Sequence, residues 1–140
     1  MKTILLGLIV STFLRSGAMA QQSTGFKSVI AVWEYTYLKS FDGQHEQLLR
    51  FIEKNWFAMD SIASRQGLMV DYELFETGEK ETGDWNVVVA VAYPSRNGYE
   101  AIEEKFESIR RGHVKVLIEG KDLAQLGRIV LSQKLYPRTP

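Results

Sequence analysis

From Ser28 the chain reads SVIAVWEYTYLKS, with apolar residues at both alternating sets of positions. Val29, Ala31, Trp33, Tyr35 and Tyr37 fall on one face of an extended segment, and Ile30, Val32, Glu34, Thr36 and Leu38 on the other. The β-branched and aromatic content, closed by the turn signal Asp42-Gly43, predicts a strand. From Asp42 to Gly67 the period changes. At about 100° per residue, Leu48, Phe51, Ile52, Trp56, Met59 and Ile62 lie in one arc, predicting a long amphipathic helix with Asp42 as N-cap and Gly67 as its left-handed end. Its length exceeds that of most globular helices, which allows for a break near its start.

LMVDYELFETG then sets Val70, Tyr72 and Leu74 against Asp71, Glu73 and Phe75, as in a half-exposed strand. TGEKETGD reads as a loop. WNVVVAVAYP is apolar on both faces, which suits a central strand ended by Pro94. In SRNGYEAIEEKFESIRRG, Asn97 and Glu100 have capping-box spacing, Tyr99, Ile102, Phe106 and Ile109 form a stripe, and Gly112 is placed to close a second helix. A linker with one helical turn, KDLAQLG, leads to a last strand, RIVLSQKLYP.

The order strand, helix, strand, strand, helix, strand specifies an α+β chain of ferredoxin-like βαββαβ type. Its four-stranded antiparallel sheet carries both helices on one face. The other face is apolar on the two central strands, and a soluble protein covers such a surface with another layer. In element order and two-faced strands, Ser28 to Pro137 resembles the dimeric α/β-barrel superfamily, whose ferredoxin-like protomers pack sheet against sheet. That group includes cofactor-free monooxygenases, isomerases and haem-handling proteins. The resemblance implies a homodimer with a pocket between helices and sheet in each subunit, and carries no catalytic residue with it.

The N-terminus has a different pattern. Lys2, the apolar run Ile4 to Leu14 and the small-x-small triplet Ala18-Met19-Ala20 describe a signal peptide over residues 1–20. A flexible segment, 21–27, the domain, 28–137, and a loose tail, 138–140, would follow. The leader's apolar run is about half the ~20 residues of a membrane span, so no stable anchor is expected after cleavage. The expected location is exported, periplasmic or secreted. The chain has no cysteine, which excludes disulfides and thiolate metal sites. Losing Lys2 and Arg15 with the leader leaves 15 of 17 basic residues against 17 acidic ones, a net charge of −2 and a poor footprint for nucleic acid.

Candidate chemistry is sparse. There is no GxSxG, GxxxxGK[ST] or GxGxxG motif, and no cofactor is implied. Two separated histidines without ligand spacing predict no metal site. FESIRRGHVKV places Arg110 and His113 at a helix end, where cations are favoured anyway, and turns Arg111 outward within reach of Glu107. Asn55 lies inside the apolar arc of the first helix and Phe57 on its charged face. A buried amide needs partners, from the core or from a ligand. Glu34 is an acid on an otherwise apolar strand face, and Trp33, Tyr35, Tyr37, Trp85 and Tyr93 count as like-facing sheet aromatics. Asn55, Arg110 and His113 are thus the catalytic candidates, and Asn55, Trp56, Trp33, Tyr35 and Glu34 the ligand-binding ones. The expected function is an exported protein binding a small apolar or aromatic molecule. The alternatives are a cofactor-free oxygenase or isomerase acting on such a molecule, and a structural interaction module.

The Ala18-Met19-Ala20 pattern predicts a mature protein that begins at Gln21. Intact mass of the exported protein checks this, and recovery of the full-length chain as the dominant species would refute both cleavage and export.

Overall fold

A computed structural model of the protein describes residues 29–78 and 82–138. The expected leader and the segment 21–27 lie outside the described residues, as do 79–81 of the loop and 139–140 of the tail. The elements run β1 (Val32–Ser40), α1 (His45–Phe51), a π turn (Ile52–Trp56), α2 (Phe57–Arg65), β2 (Asp71–Glu76), β3 (Val87–Tyr93), a 3-10 turn (Gly98–Ala101), α3 (Glu103–Gly112), α4 (Leu123–Leu126) and β4 (Gly127–Leu135). All pairings are antiparallel and the sheet order is β2-β3-β1-β4, the expected ferredoxin-like arrangement. No helix among the described residues is long and apolar enough to cross a membrane.

The two apolar faces of β1 serve different purposes. Val32 and Leu38 are buried under the helices. Trp33, Tyr35 and Tyr37 face the other way and lie directly across from Ala92, Ala90 and Val88 of β3, so large rings stand beside small side chains. Successive ring centroids along this row are 6.1 and 6.4 Å apart, and Trp85 meets Tyr37 edge-on at 5.1 Å. Tyr93 does not join them. It sits on the helix side with Val89 and Val91, because Trp85 precedes the first paired residue of β3 and does not share its alternation. Phe75, Leu131 and Leu135 remain about half exposed.

The first helix departs from regular geometry at its centre, where Phe57 N–H donates to the Ile52 carbonyl across five residues. The extra residue in this turn sets everything after it back by roughly 100°. Asp60, near the edge of the apolar arc by regular counting, rotates into the core, and Phe57 rotates off the polar face to pack at a tilt against Tyr72, 4.8 Å between centroids. The helix also begins later than Asp42. Gln44 is its N-terminal boundary and no side chain caps it.

Two further expectations are corrected. The Asn97–Glu100 capping box does not form, since Gly98 leaves the helical path at φ +62° and the Tyr99 N–H is taken by Glu34 from the sheet, at 3.0 Å. Arg111 is exposed, and it is Arg110, one residue earlier, that pairs with Glu107.

Asn55 lies within the π turn, and every hydrogen-bonding site of its amide is used. Nδ2 donates to the carbonyls of Phe51 (3.0 Å) and Val116 (2.9 Å), while Oδ1 accepts from Val116 N–H (2.8 Å) and His113 Nε2 (3.0 Å). The helix thereby holds the extended chain that follows α3, which pairs with no strand among the described residues. Asn55→Leu keeps the volume but leaves these backbone groups without their partner. It should cost roughly 2 to 4 kcal/mol of unfolding free energy in urea titration, and a loss below about 1 kcal/mol would contradict the pinning role.

Candidate functional site

On the helix side the core has two halves. Val32, Met59, Tyr93, Ile102, Phe106 and Ile109 belong to one, and Leu38, Leu48, Phe51, Ile52, Val89 and Leu126 to the other. Trp56 and Val91 touch both. Between the halves β1 presents Glu34 and Thr36 where apolar side chains would have closed the layer, and a cavity of about 420 Å³ remains. The sheet contributes Glu34, Thr36, Val89, Val91 and Tyr93 to its walls; the helices contribute Trp56, Met59, Asp60, Phe106 and Arg110, with Tyr99 from the turn before α3. This is the size and mixed lining of a small-molecule pocket.

Asp60 is the most perturbed carboxyl among the described residues. It is 6% exposed, and burial raises its pKa from 3.8 to about 7. Tyr93, 4% exposed, is raised as well, by burial first and then by the carboxylates of Glu34 and Asp60. Among the described residues no hydrogen bond reaches either group, yet no side-chain oxygen is sealed away from both partner and solvent. The Asp60 carboxyl and the Tyr93 hydroxyl therefore open onto the cavity they line. An acid that ionises near neutrality stands beside a phenol held in its protonated form.

The rim is polar and tied down. Tyr99 hydroxyl donates to Glu107 Oε1 at 3.1 Å and accepts from Arg110 Nη2 at 3.3 Å. The Arg110 guanidinium pairs with Glu107 and lies over the Phe106 ring, 5.6 Å from its centroid. Burial raises the Tyr99 pKa; Arg110 opposes that shift and Glu107 adds to it. Glu34 accepts from the Tyr99 N–H and lies 3.5 Å from Lys134 Nζ. Gly98 permits that contact. An added Cβ would stand 2.0 Å from Glu34 Oε1, at a positive φ that side chains avoid.

The residues singled out from sequence thus separate. Glu34, Trp56 and Arg110 line the cavity together. Trp33 and Tyr35 occupy the opposite face of the sheet, and Asn55 and His113 bond to each other behind the first helix. His113 follows the end of α3 in an extended conformation, and its ring turns to Asn55. Asp60 and Tyr93 went unrecognised, the first through the π turn and the second through the broken alternation at Trp85. The available signal was the adjacent polar pair Glu34 and Thr36 in the middle of a helix-facing row.

No protein-family model matches the sequence, nor does any curated protein sequence. Solved structures do resemble it. HapK from Hahella chejuensis superposes with a TM-score of 0.52 at 10% identity, over 78% of this chain and 94% of that one. PA3566 from Pseudomonas aeruginosa gives a TM-score of 0.51 at 14% identity, over 80% and 98%. At these identities the likeness establishes the fold, a ferredoxin-like arrangement, and transfers no activity.

Proposed function

We propose that the protein is an exported homodimer that binds a small, largely apolar or aromatic carbonyl compound between helices and sheet and moves a proton on it, an isomerase-type reaction. The observation that carries this reading is Asp60, a buried carboxyl with no hydrogen-bond partner among the described residues, on the wall of a cavity of mixed lining. A carboxylate with a pKa near 7 is matched to taking a proton at neutral pH. Tyr93 donates a hydrogen bond to the oxygen on which negative charge develops, and its raised pKa keeps its proton available. The proton removed from carbon resides on Asp60 and returns to a neighbouring carbon, so no oxidant or cofactor enters the balance. Arg110 and Tyr99 at the rim orient a polar end of the ligand, while Trp56, Met59 and Phe106 surround its apolar body.

Export rests on the leader pattern of residues 1–20, and dimerisation on the aromatic face of the sheet. Trp33, Tyr35, Tyr37 and Trp85, with Phe75, Leu131 and Leu135 around them, form a continuous apolar surface that a second copy would cover face to face.

Carbon-acid chemistry is read directly by deuterium incorporation from D₂O into aromatic ketones, followed by NMR. Wild type should accelerate exchange at the carbon next to the carbonyl, Asp60→Asn should lower that rate by about 100-fold or more, and Tyr93→Phe by a smaller factor. Equal exchange by wild type and Asp60→Asn would overturn the assignment.

Stability supplies an independent check. A carboxyl raised from 3.8 to about 7 holds its proton longer in the folded than in the unfolded chain, so its ionisation destabilises the fold as pH rises across that window. Wild type should therefore lose up to about 4 kcal/mol relative to Asp60→Asn between pH 4 and 7, and stay level above it. Parallel pH profiles for the two proteins would contradict the burial of an unpartnered acid.

For the dimer, Tyr35→Lys places a charge at the centre of the aromatic face and should convert the protein to monomer in analytical ultracentrifugation. Wild type that sediments as a monomer at every concentration would refute the interface.

A further inference from the structure

At the far end of β1 from Glu34, a second hollow of about 430 Å³ lies between the start of α1 and the end of β2. His45, Glu46 and Glu76 converge on it, each offering one donor atom, all within 4.8 Å of one another. We propose that these three residues form a binding site for one divalent cation of the zinc class, independent of the cavity around Asp60. The donor set, one imidazole nitrogen and two carboxylate oxygens, suits a cation that accepts both N and O ligands rather than a hard cation that demands oxygen alone.

The geometry is partly assembled. His45 Nε2 and Glu76 Oε2 are already 2.7 Å apart, and a cation would replace the proton between them. Ligand atoms about 2.0 to 2.2 Å from a shared zinc lie roughly 3.3 Å apart, so the pair opens slightly and Glu46 closes. Glu46 and Glu76 are exposed and free to make that adjustment.

The histidine, in contrast, is held. Its Nδ1 lies 3.2 Å from Asn86 Nδ2 and 3.4 Å from Ser40 Oγ. Those two are locked to each other, Ser40 N–H donating to Asn86 Oδ1 at 2.9 Å and Asn86 Nδ2 to Ser40 Oγ at 2.7 Å. With a cation on Nε2, the imidazole proton moves to Nδ1, and the Ser40 hydroxyl oxygen, 3.4 Å away, accepts it once the Asn86 amide hydrogen directed at Nδ1 turns aside. Lys39 also borders the hollow, but its ammonium donates to the Gly83 carbonyl at 2.8 Å. Two carboxylates and a neutral imidazole balance the charge of the cation, and the fourth tetrahedral position faces the hollow, open to water.

The site is tested by calorimetric titration of ZnCl₂ into the full mature chain carrying no polyhistidine tag, with MgCl₂ as the hard-cation control. One saturable zinc site per chain should appear, with no comparable magnesium binding. His45→Gln should abolish it, and Glu46→Gln and Glu76→Gln should each weaken it by at least about tenfold. Glu103→Gln, an exposed acid on α3, should bind like wild type. If His45→Gln fails to fold, Glu46→Gln decides the matter, because no described residue hydrogen-bonds to that side chain. Absence of saturable zinc binding by wild type, or undiminished binding by Glu46→Gln, would overturn the proposal.

Discussion

One extra residue in the middle of the first helix governs the interior of this domain. A regular helix from His45 to Arg65 would leave Asp60 beside the charged face and Phe57 in solvent. The π turn at Ile52–Trp56 rotates both, so that Phe57 packs on Tyr72 and Asp60 enters a layer otherwise made of Met59, Ala63, Phe106 and Ile109. An ionised carboxylate in such a place is costly, and the cost appears as an affinity for protons that persists to about pH 7. Asn55 sits in the same turn and spends its whole hydrogen-bonding capacity on backbone and on His113. The turn that brings the acid inward is thus fastened to the segment following α3.

The cavity exists because β1 is polar at the centre of its helix-facing row. Val32 and Leu38 anchor the two halves of the core, and Glu34 and Thr36 between them leave the middle unfilled. Glu34 also replaces the missing helix cap by accepting the Tyr99 N–H, with Gly98 clearing the approach. The strand therefore positions the rim of the cavity, Tyr99 with its bonds to Glu107 and Arg110, through a contact 65 residues apart in sequence.

Much of the architecture could be read from periodicity. The two-faced strands, the glycine that ends the first helix and the Ile102, Phe106 and Ile109 stripe all follow from alternation and helical phase, and they yield the βαββαβ order and the sheet with one bare side. The site was less legible. Glu34, Trp56 and Arg110 were recognisable because each breaks a local pattern or sits at its edge. Asp60 was hidden by a constant 100° count, which has no means of registering an inserted residue. Tyr93 falls in phase with Trp85 by counting but not on its face, because Trp85 stands two residues before pairing starts. His45, Glu46 and Glu76 are brought together only by tertiary packing, which linear spacing does not express.

What ties these features to chemistry is the state of one carboxyl group. Titration of the Asp60 side-chain carboxyl carbon by NMR, in protein with ¹³C-labelled aspartate and assigned by comparison with Asp60→Asn, measures it without reference to any substrate. The expected midpoint lies near 7 and moves when an aromatic ligand enters the cavity. A midpoint near 3.8, insensitive to ligand, would mean that the carboxyl is solvated, and the reading of the cavity as a proton-transfer site would fall.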